Sequence, residues 1–168
     1  TIRLIYVRQH LNNMRVVAII PARYKSTRLP GKPLIKLKGK EMIIRVAEIA
    51  EKALGKENVY VATDDQRIID VVKNYGFQSI LTSEKCLTGT DRVAEAALDL
   101  DADMIINVQG DEPLLDPNDI IKIRDAKLKY PNHIVNCWSP LNELEEASNP
   151  KLAKIVSNPE GEMMYISR

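Results

Sequence analysis

The stretch IIPARYKSTRLPGKPLIKLKGK, residues 19–40, decides how the rest of the chain is read. The apolar run that enters it, Val16 to Ile20, is short and has no polar position, which predicts a strand buried on both faces. It gives way to an irregular turn carrying Arg23, Lys25, Arg28 and Lys32 among Ser26, Thr27 and Gly31. Pro21, Pro30 and Pro33 restrict the backbone there, so the loop is stiffer than a solvated charged loop needs to be. Backbone amides, guanidinium forks and an ammonium in one such turn form a site for a polyanion such as a triphosphate. A plain solvated loop is the competing reading.

Outward from this stretch, short apolar runs alternate with amphipathic segments. NVYVA (58–62), QSILT (78–82), MIINV (104–108) and HIVNCW (133–138) read as further strands, and residues 41–54, 66–75 and 90–100 as helices. Asp116-Pro117 opens one more helix, since Asp116 can cap it and Pro117 needs no amide hydrogen at the first position. AKIVS and MMYIS, separated by NPEG, read as a hairpin. The alternation predicts an α/β class, a doubly wound, mostly parallel sheet in three layers with a C-terminal hairpin. In such sheets ligands bind beyond the carboxyl ends of the strands, where the unusual loops fall. One domain is expected over residues 14–168, with residues 1–13 an extension outside the fold, because Met14 directly precedes the first strand.

The formal net charge of +1 gives no bulk attraction to nucleic acid or anionic lipid, so neither is expected as a partner. No apolar run approaches the roughly 20 residues of a membrane helix. Cys86 and Cys137 fit no metal spacing and are expected as buried apolar fillers in a reducing, cytoplasmic setting. His10 and His133 are isolated and are expected to carry no chemistry. Neither G-x-x-x-x-G-K-[ST] nor G-x-G-x-x-G occurs after any strand, which sets aside P-loop and dinucleotide-binding enzymes.

A second constellation, NVQGDEP (107–113), ends the most hydrophobic strand. Gly110 permits a sharp turn that presents Asp111 and Glu112 at the sheet edge, opposite the basic loop. Mg²⁺ prefers one or two carboxylates plus phosphate oxygens, and this turn supplies the carboxylates; an ordinary strand-to-helix turn is the alternative. Gln109 can orient a substrate hydroxyl or serve the turn. ATDD (62–65) and TGTDR (88–92) place Thr63, Asp64, Thr88, Gly89 and Arg92 on the same rim, where they either approach a base or cap the helices that follow.

IIPARYKSTRLPGKPL, VATD, TGTDR, NVQGDEP and NPEGEMMYISR, in that order from Met14 to Arg168, resemble the 3-deoxy-manno-octulosonate cytidylyltransferases, or CMP-Kdo synthetases. The resemblance implies a Rossmann-like nucleotidyltransferase fold. It also implies transfer of a cytidylyl group from CTP to the sugar acid Kdo, with release of pyrophosphate, on the route to lipopolysaccharide. Carried over position by position, Arg23 and Lys32 resemble the triphosphate-binding pair, with Pro21, Ala22, Ser26 and Arg28 beside them. Asp111 resembles the Mg²⁺ ligand and Gln109 a contact to the sugar. Thr63, Asp64, Thr88, Gly89 and Arg92 fall where the cytidine is held. Arg23, Lys32 and Asp111 are thus the expected catalytic groups. Another sugar acid, 8-amino-Kdo or one like sialic acid, is the nearest alternative substrate, and a CTP-binding module without turnover the nearest alternative function.

Members of that family continue past the segment resembling MMYISR, into a second metal-binding aspartate, much of the sugar pocket and part of a dimer interface. The chain is therefore expected to be a fragment, and its homodimer weakened. Nucleotide binding is expected of these 168 residues and full turnover is not. A coupled assay of pyrophosphate release with CTP, Kdo and Mg²⁺ checks this, and robust turnover refutes it.

Overall fold

The computed structural model describes residues 14–25, 29–140, 148–150 and 152–167. Its contacts form two compact units, one within residues 1–133 and one within 134–168.

The first unit is built on four parallel strands: β1 (Val16–Ala22), β4 (Val59–Thr63), β5 (Gln78–Leu81) and β6 (Met104–Asn107), in the spatial order β5-β4-β1-β6. β1 is central, with Ile20 opposite Val61 on one side and Ala18 opposite Ile106 on the other. All five residues of β4 are buried, as a strand covered on both faces requires. The helices are α1 (Met42–Leu54), α2 (Gln66–Asn74), α3 (Gly89–Ala97) and α4 (Pro117–Lys129).

Alternation along the strands divides the core. Ala18, Ile20 and Ala22, with Val61 and Ile106, pack against Ile43 and Ile44 of α1, Ile68 and Val72 of α2, and Ile120 of α4. Val17 and Ile19, with Tyr60 and Ala62, pack against Val93 and Ala96 of α3. Three layers result, as the alternating pattern predicts. Local chemistry sets the helix ends: Gly55 stops α1 at φ 84°, and Asp116 caps α4 by accepting from the Asn118 amide at 2.9 Å.

Two features differ from the sequence reading. HIVNCW forms no strand: residues 134–140 carry no regular structure, and Ile134 is fully exposed. A strand is held by ladder bonds to a neighbour, and none of the described residues pairs with this segment, whatever its apolar content. Conversely, β2 (Lys36–Leu37) and β3 (Lys40–Glu41) pair antiparallel around Lys38 and Gly39, both at positive φ. Two residues a strand are too few to register as a period. In the second unit the expected hairpin forms, β7 (Lys154–Ser157) against β8 (Met163–Ser167), with Val156 opposite Tyr165. No helix among the described residues is long and apolar enough to cross a membrane.

Ile43 is fully buried and bridges the α1 core to the turn after β6. Ile43→Ala is expected to cost about 2–5 kcal/mol by removing contacts that the packed sheet cannot refill. Urea unfolding of the variant against the unsubstituted chain measures it.

Candidate functional site

The chain runs outward from β1 through β4 to β5, then returns to β6 on the other side of β1. The strand order thus reverses beside β1, where a crevice is expected beyond the carboxyl ends of β1 and β6. A cavity of about 600 Å³ lies there, lined by Pro21 and Ala22 at the end of β1, Arg23 and Lys32 from the loop after it, Gln109 to Asp111 from the turn after β6, and Thr88, Gly89 and Arg92 at the start of α3.

The basic loop is held in shape by its own contacts. Gly31, at φ 69°, donates its amide to the Tyr24 carbonyl at 2.9 Å and opens the short 3-10 turn Lys32–Leu34. The Tyr24 ring packs against Gly31, where a Cβ would sit 3.2 Å from ring atoms, and carries the Arg67 guanidinium 3.3 Å over its centre. Lys32 is thereby delivered into the crevice, where its Nζ donates to Asp111 Oδ2 at 2.6 Å. Both side chains stay partly open to solvent, 39% and 52% exposed. Arg23 stands at the rim, exposed and with no ion pair among the described residues. Lys25 instead pairs with Glu84 at 2.8 Å, and that hydrogen bond raises the lysine's pKa and lowers the carboxyl's. Ser26, Thr27 and Arg28 lie outside the described residues.

The facing turn depends on Gly110. A Cβ there would lie 2.7 Å from the Pro21 carbonyl oxygen, closer than real atoms approach, so only glycine lets this backbone pass over the end of β1. Gln109 beside it donates to Asn107 Oδ1 at 3.2 Å and lines the cavity, whereas Glu112 does not line it.

The third wall is the start of α3. Thr88 caps the helix, its Oγ1 accepting from the Asp91 amide at 3.1 Å while Asp91 accepts in return from the Thr88 amide at 2.8 Å. Gly89 rests on the Pro21 ring, with 3.3 Å between a built Cβ and the ring's Cγ. Arg92 is 3% exposed and donates to Asp64 Oδ2 at 2.9 Å and to Thr82 Oγ1. The structure does not bring Thr63 or Asp64 to the cavity lining. Thr63 is fully buried inside the sheet, and Asp64 turns toward Arg92. The cap of α2 comes from Asp65, which accepts from the Arg67 amide at 3.0 Å. Its side-chain hydrogen bonds with Arg67 hold the Asp65 carboxyl below the usual range.

Sequence reasoning missed Met42 and Cys86, which also line the cavity. Cys86 corrects the expectation of buried apolar cysteines: it is half-buried, and its Sγ donates to Glu95 Oε2 at 3.0 Å, while Cys137 is exposed. Glu95 accepts from the Ser83 amide as well, at 2.6 Å. The thiol's hydrogen bond to Glu95, aided by desolvation, pushes the Cys86 pKa up, and the same bond holds Glu95 down. No local pattern marks a thiol in a loop for a carboxylate on the following helix. No group of three or more His, Cys, Asp or Glu side chains among the described residues is placed to hold a metal, and Asp111 stands at the cavity as a carboxylate facing a cation.

This sheet and its crevice define an α/β nucleotidyltransferase fold, and the comparisons with known proteins agree. A solved structure of CMP:2-keto-3-deoxy-manno-octonic acid synthetase complexed with CTP superposes with a TM-score of 0.80 at 37% identity, covering 91% of this chain and 64% of that one. The cytidylyltransferase family model matches residues 17–168, and the chain belongs to that family. It is 46% identical, over 92% of its own length, to 3-deoxy-manno-octulosonate cytidylyltransferase of Trichlorobacter lovleyi. It is 41% identical, again over 92% of its length, to 8-amino-3,8-dideoxy-manno-octulosonate cytidylyltransferase of Shewanella piezotolerans. The chain spans 62% of the first relative's length and 65% of the second's.

Because Glu95 holds the Cys86 thiol protonated, Glu95→Gln is expected to move the pH profile of Cys86 alkylation to lower pH, toward the ordinary thiol value of about 8.5. Iodoacetamide rates in a Cys137→Ser background measure this. An unshifted profile removes Glu95 as the cause.

Proposed function

We propose that this chain is the nucleotide-binding part of an enzyme that transfers a cytidylyl group from CTP to 3-deoxy-D-manno-octulosonate, giving CMP-Kdo and pyrophosphate. The observation that carries the reading is the ammonium of Lys32 facing the carboxylate of Asp111 at 2.6 Å inside the crevice of a cytidylyltransferase fold. The site thereby offers a cation for phosphate oxygens and a carboxylate for a hard metal ion. The relative named as a CMP-Kdo synthetase and solved with CTP supports the choice of nucleotide.

In the reaction, the anomeric hydroxyl oxygen of the sugar acid forms a bond to the α-phosphorus. The bond from that phosphorus to the bridging oxygen breaks, pyrophosphate leaves with the electron pair, and the hydroxyl proton passes to solvent water. Negative charge grows on the phosphate oxygens, so the protein's work is positioning and charge stabilisation. Lys32 and Arg23 bind the triphosphate and hold it in line for attack. Thr88 and Gly89 form the wall for the cytidine, and Gln109, beside the turn, receives the sugar. Asp111 fits Mg²⁺, since this ion takes one or two carboxylates together with phosphate oxygens and needs no cage made wholly of protein. Bound there, Mg²⁺ supplies Lewis-acid neutralisation of the phosphates.

The reading extends to a cytoplasmic homodimer at the sugar-activation step of lipopolysaccharide synthesis. The similarity to an enzyme named for the 8-amino sugar makes that acid the second substrate to compare.

Titration calorimetry tests the reading directly. CTP is expected to bind more tightly than ATP or GTP, and more tightly with Mg²⁺ than without it. Lys32→Ala is expected to weaken CTP by about tenfold or more in either condition, the loss of one charge-assisted contact. Asp111→Ala is expected to abolish the gain from Mg²⁺. Equal affinity for the three nucleotides, or an Mg²⁺ gain that survives Asp111→Ala, overturns the assignment.

A further inference from the structure

The geometry points to Arg92 and Asp64 as positioning residues for the nucleoside half of the ligand, acting through the wall they hold. The inference rests on the reading of the cavity as a nucleoside triphosphate site.

Arg92 sits one turn into α3, directly after the Thr88–Gly89 wall. Its guanidinium, 3% exposed, reaches two other elements: Asp64, just beyond β4, at 2.9 Å, and Thr82, just beyond β5. Thr82 in turn donates its amide to the Thr63 carbonyl at 2.9 Å, so the ends of β4 and β5 and the start of α3 are joined at one point. Gly89 also rests against the Pro21 ring. Thr88 and Gly89 are thus held between the end of β1 and this strut.

Charge decides what the wall can receive. The Asp64 side chain is 12% exposed, so turning the guanidinium toward a ligand would leave a shielded carboxylate unpaired, and this is costly. The positive charge of Arg92 is therefore neutralised within the protein, and its wall presents no free cation. Arg23, exposed, and Lys32, partly open to solvent, also line the cavity and can meet phosphates. A neutral nucleoside suits the first wall and a polyphosphate the second. The strut therefore governs affinity for the nucleoside while leaving the phosphate grip unaffected.

The test compares CTP with inorganic tripolyphosphate, both with Mg²⁺, by calorimetry on the full chain. Thr82 does not line the cavity, so Thr82→Val loosens the strut without altering a surface the ligand meets. Thr82→Val and Arg92→Lys are expected to weaken CTP by about tenfold or more, the scale on which a displaced binding group acts, with tripolyphosphate affinity within about twofold of the unsubstituted chain. Thr82→Ser, which keeps the hydroxyl, is expected to retain CTP affinity. If Arg92→Lys does not fold, as judged by its urea midpoint, the two Thr82 variants decide. Unchanged CTP affinity in folded Thr82→Val, or parallel loss of both ligands, overturns the inference while the triphosphate reading stands. Failure of the unsubstituted chain to bind either ligand overturns that reading, and this inference with it.

Discussion

The site depends on how closely the backbone passes over the end of β1. At Pro21 a carbonyl oxygen faces Gly110 with no room for a side chain, and the proline ring supports Gly89. These two contacts bring the turn after β6 and the start of α3 onto one residue of the central strand. Pairing carries the constraint further: the Val108 amide donates to the Ile19 carbonyl at 3.1 Å, extending the β1–β6 ladder to within two residues of Gly110. The position of Asp111 opposite Lys32 is therefore a consequence of strand register and backbone contact. Long side chains finding each other across a flexible gap could not hold two charges in place as reliably, because their rotamer entropy opposes it.

Topology explains why the crevice lies beside this strand and no other. β4 and β5 lie on one side of β1 and β6 on the other, so the strand order reverses between β1 and β6. A ligand crevice beyond the carboxyl ends of the strands is expected at such a reversal, and the cavity opens there. The proline-restricted loop fills one side of that opening. Tyr24, fixed between Gly31 and Arg67, ties the loop to α2, and the cationic loop becomes part of the fold's frame.

Much of this was legible in the sequence because the strands are continuous apolar runs and each ends in residues that a strand does not need. Lys32 and Asp111 could be placed at the same edge on those grounds alone. Asp64 and Arg92 could not be paired, since they are 28 residues apart and each stands where a cap or a ligand contact is equally natural. Thr63 gave no sign of its direction, because β4 is buried on both faces and alternation then carries no information. His133 to Trp138 reads as a strand by composition, but composition does not supply a neighbour to pair with. Cys86 resembles a filler until the fold brings Glu95 to it.

The two ion pairs at the cavity divide its labour by their exposure. Lys32 and Asp111 are open to water, where separating a pair costs little, so each can exchange its partner for a phosphate oxygen or a metal ion. Arg92 and Asp64 are shielded, and separating them strands a charge in a poorly solvated place. A site that must admit and release a highly charged ligand needs the first kind of pair where the charge enters and the second kind where shape must persist. The sequence offers Arg23, Lys32 and Arg92 as three similar cations. Burial alone makes two of them available to a ligand and the third part of the wall.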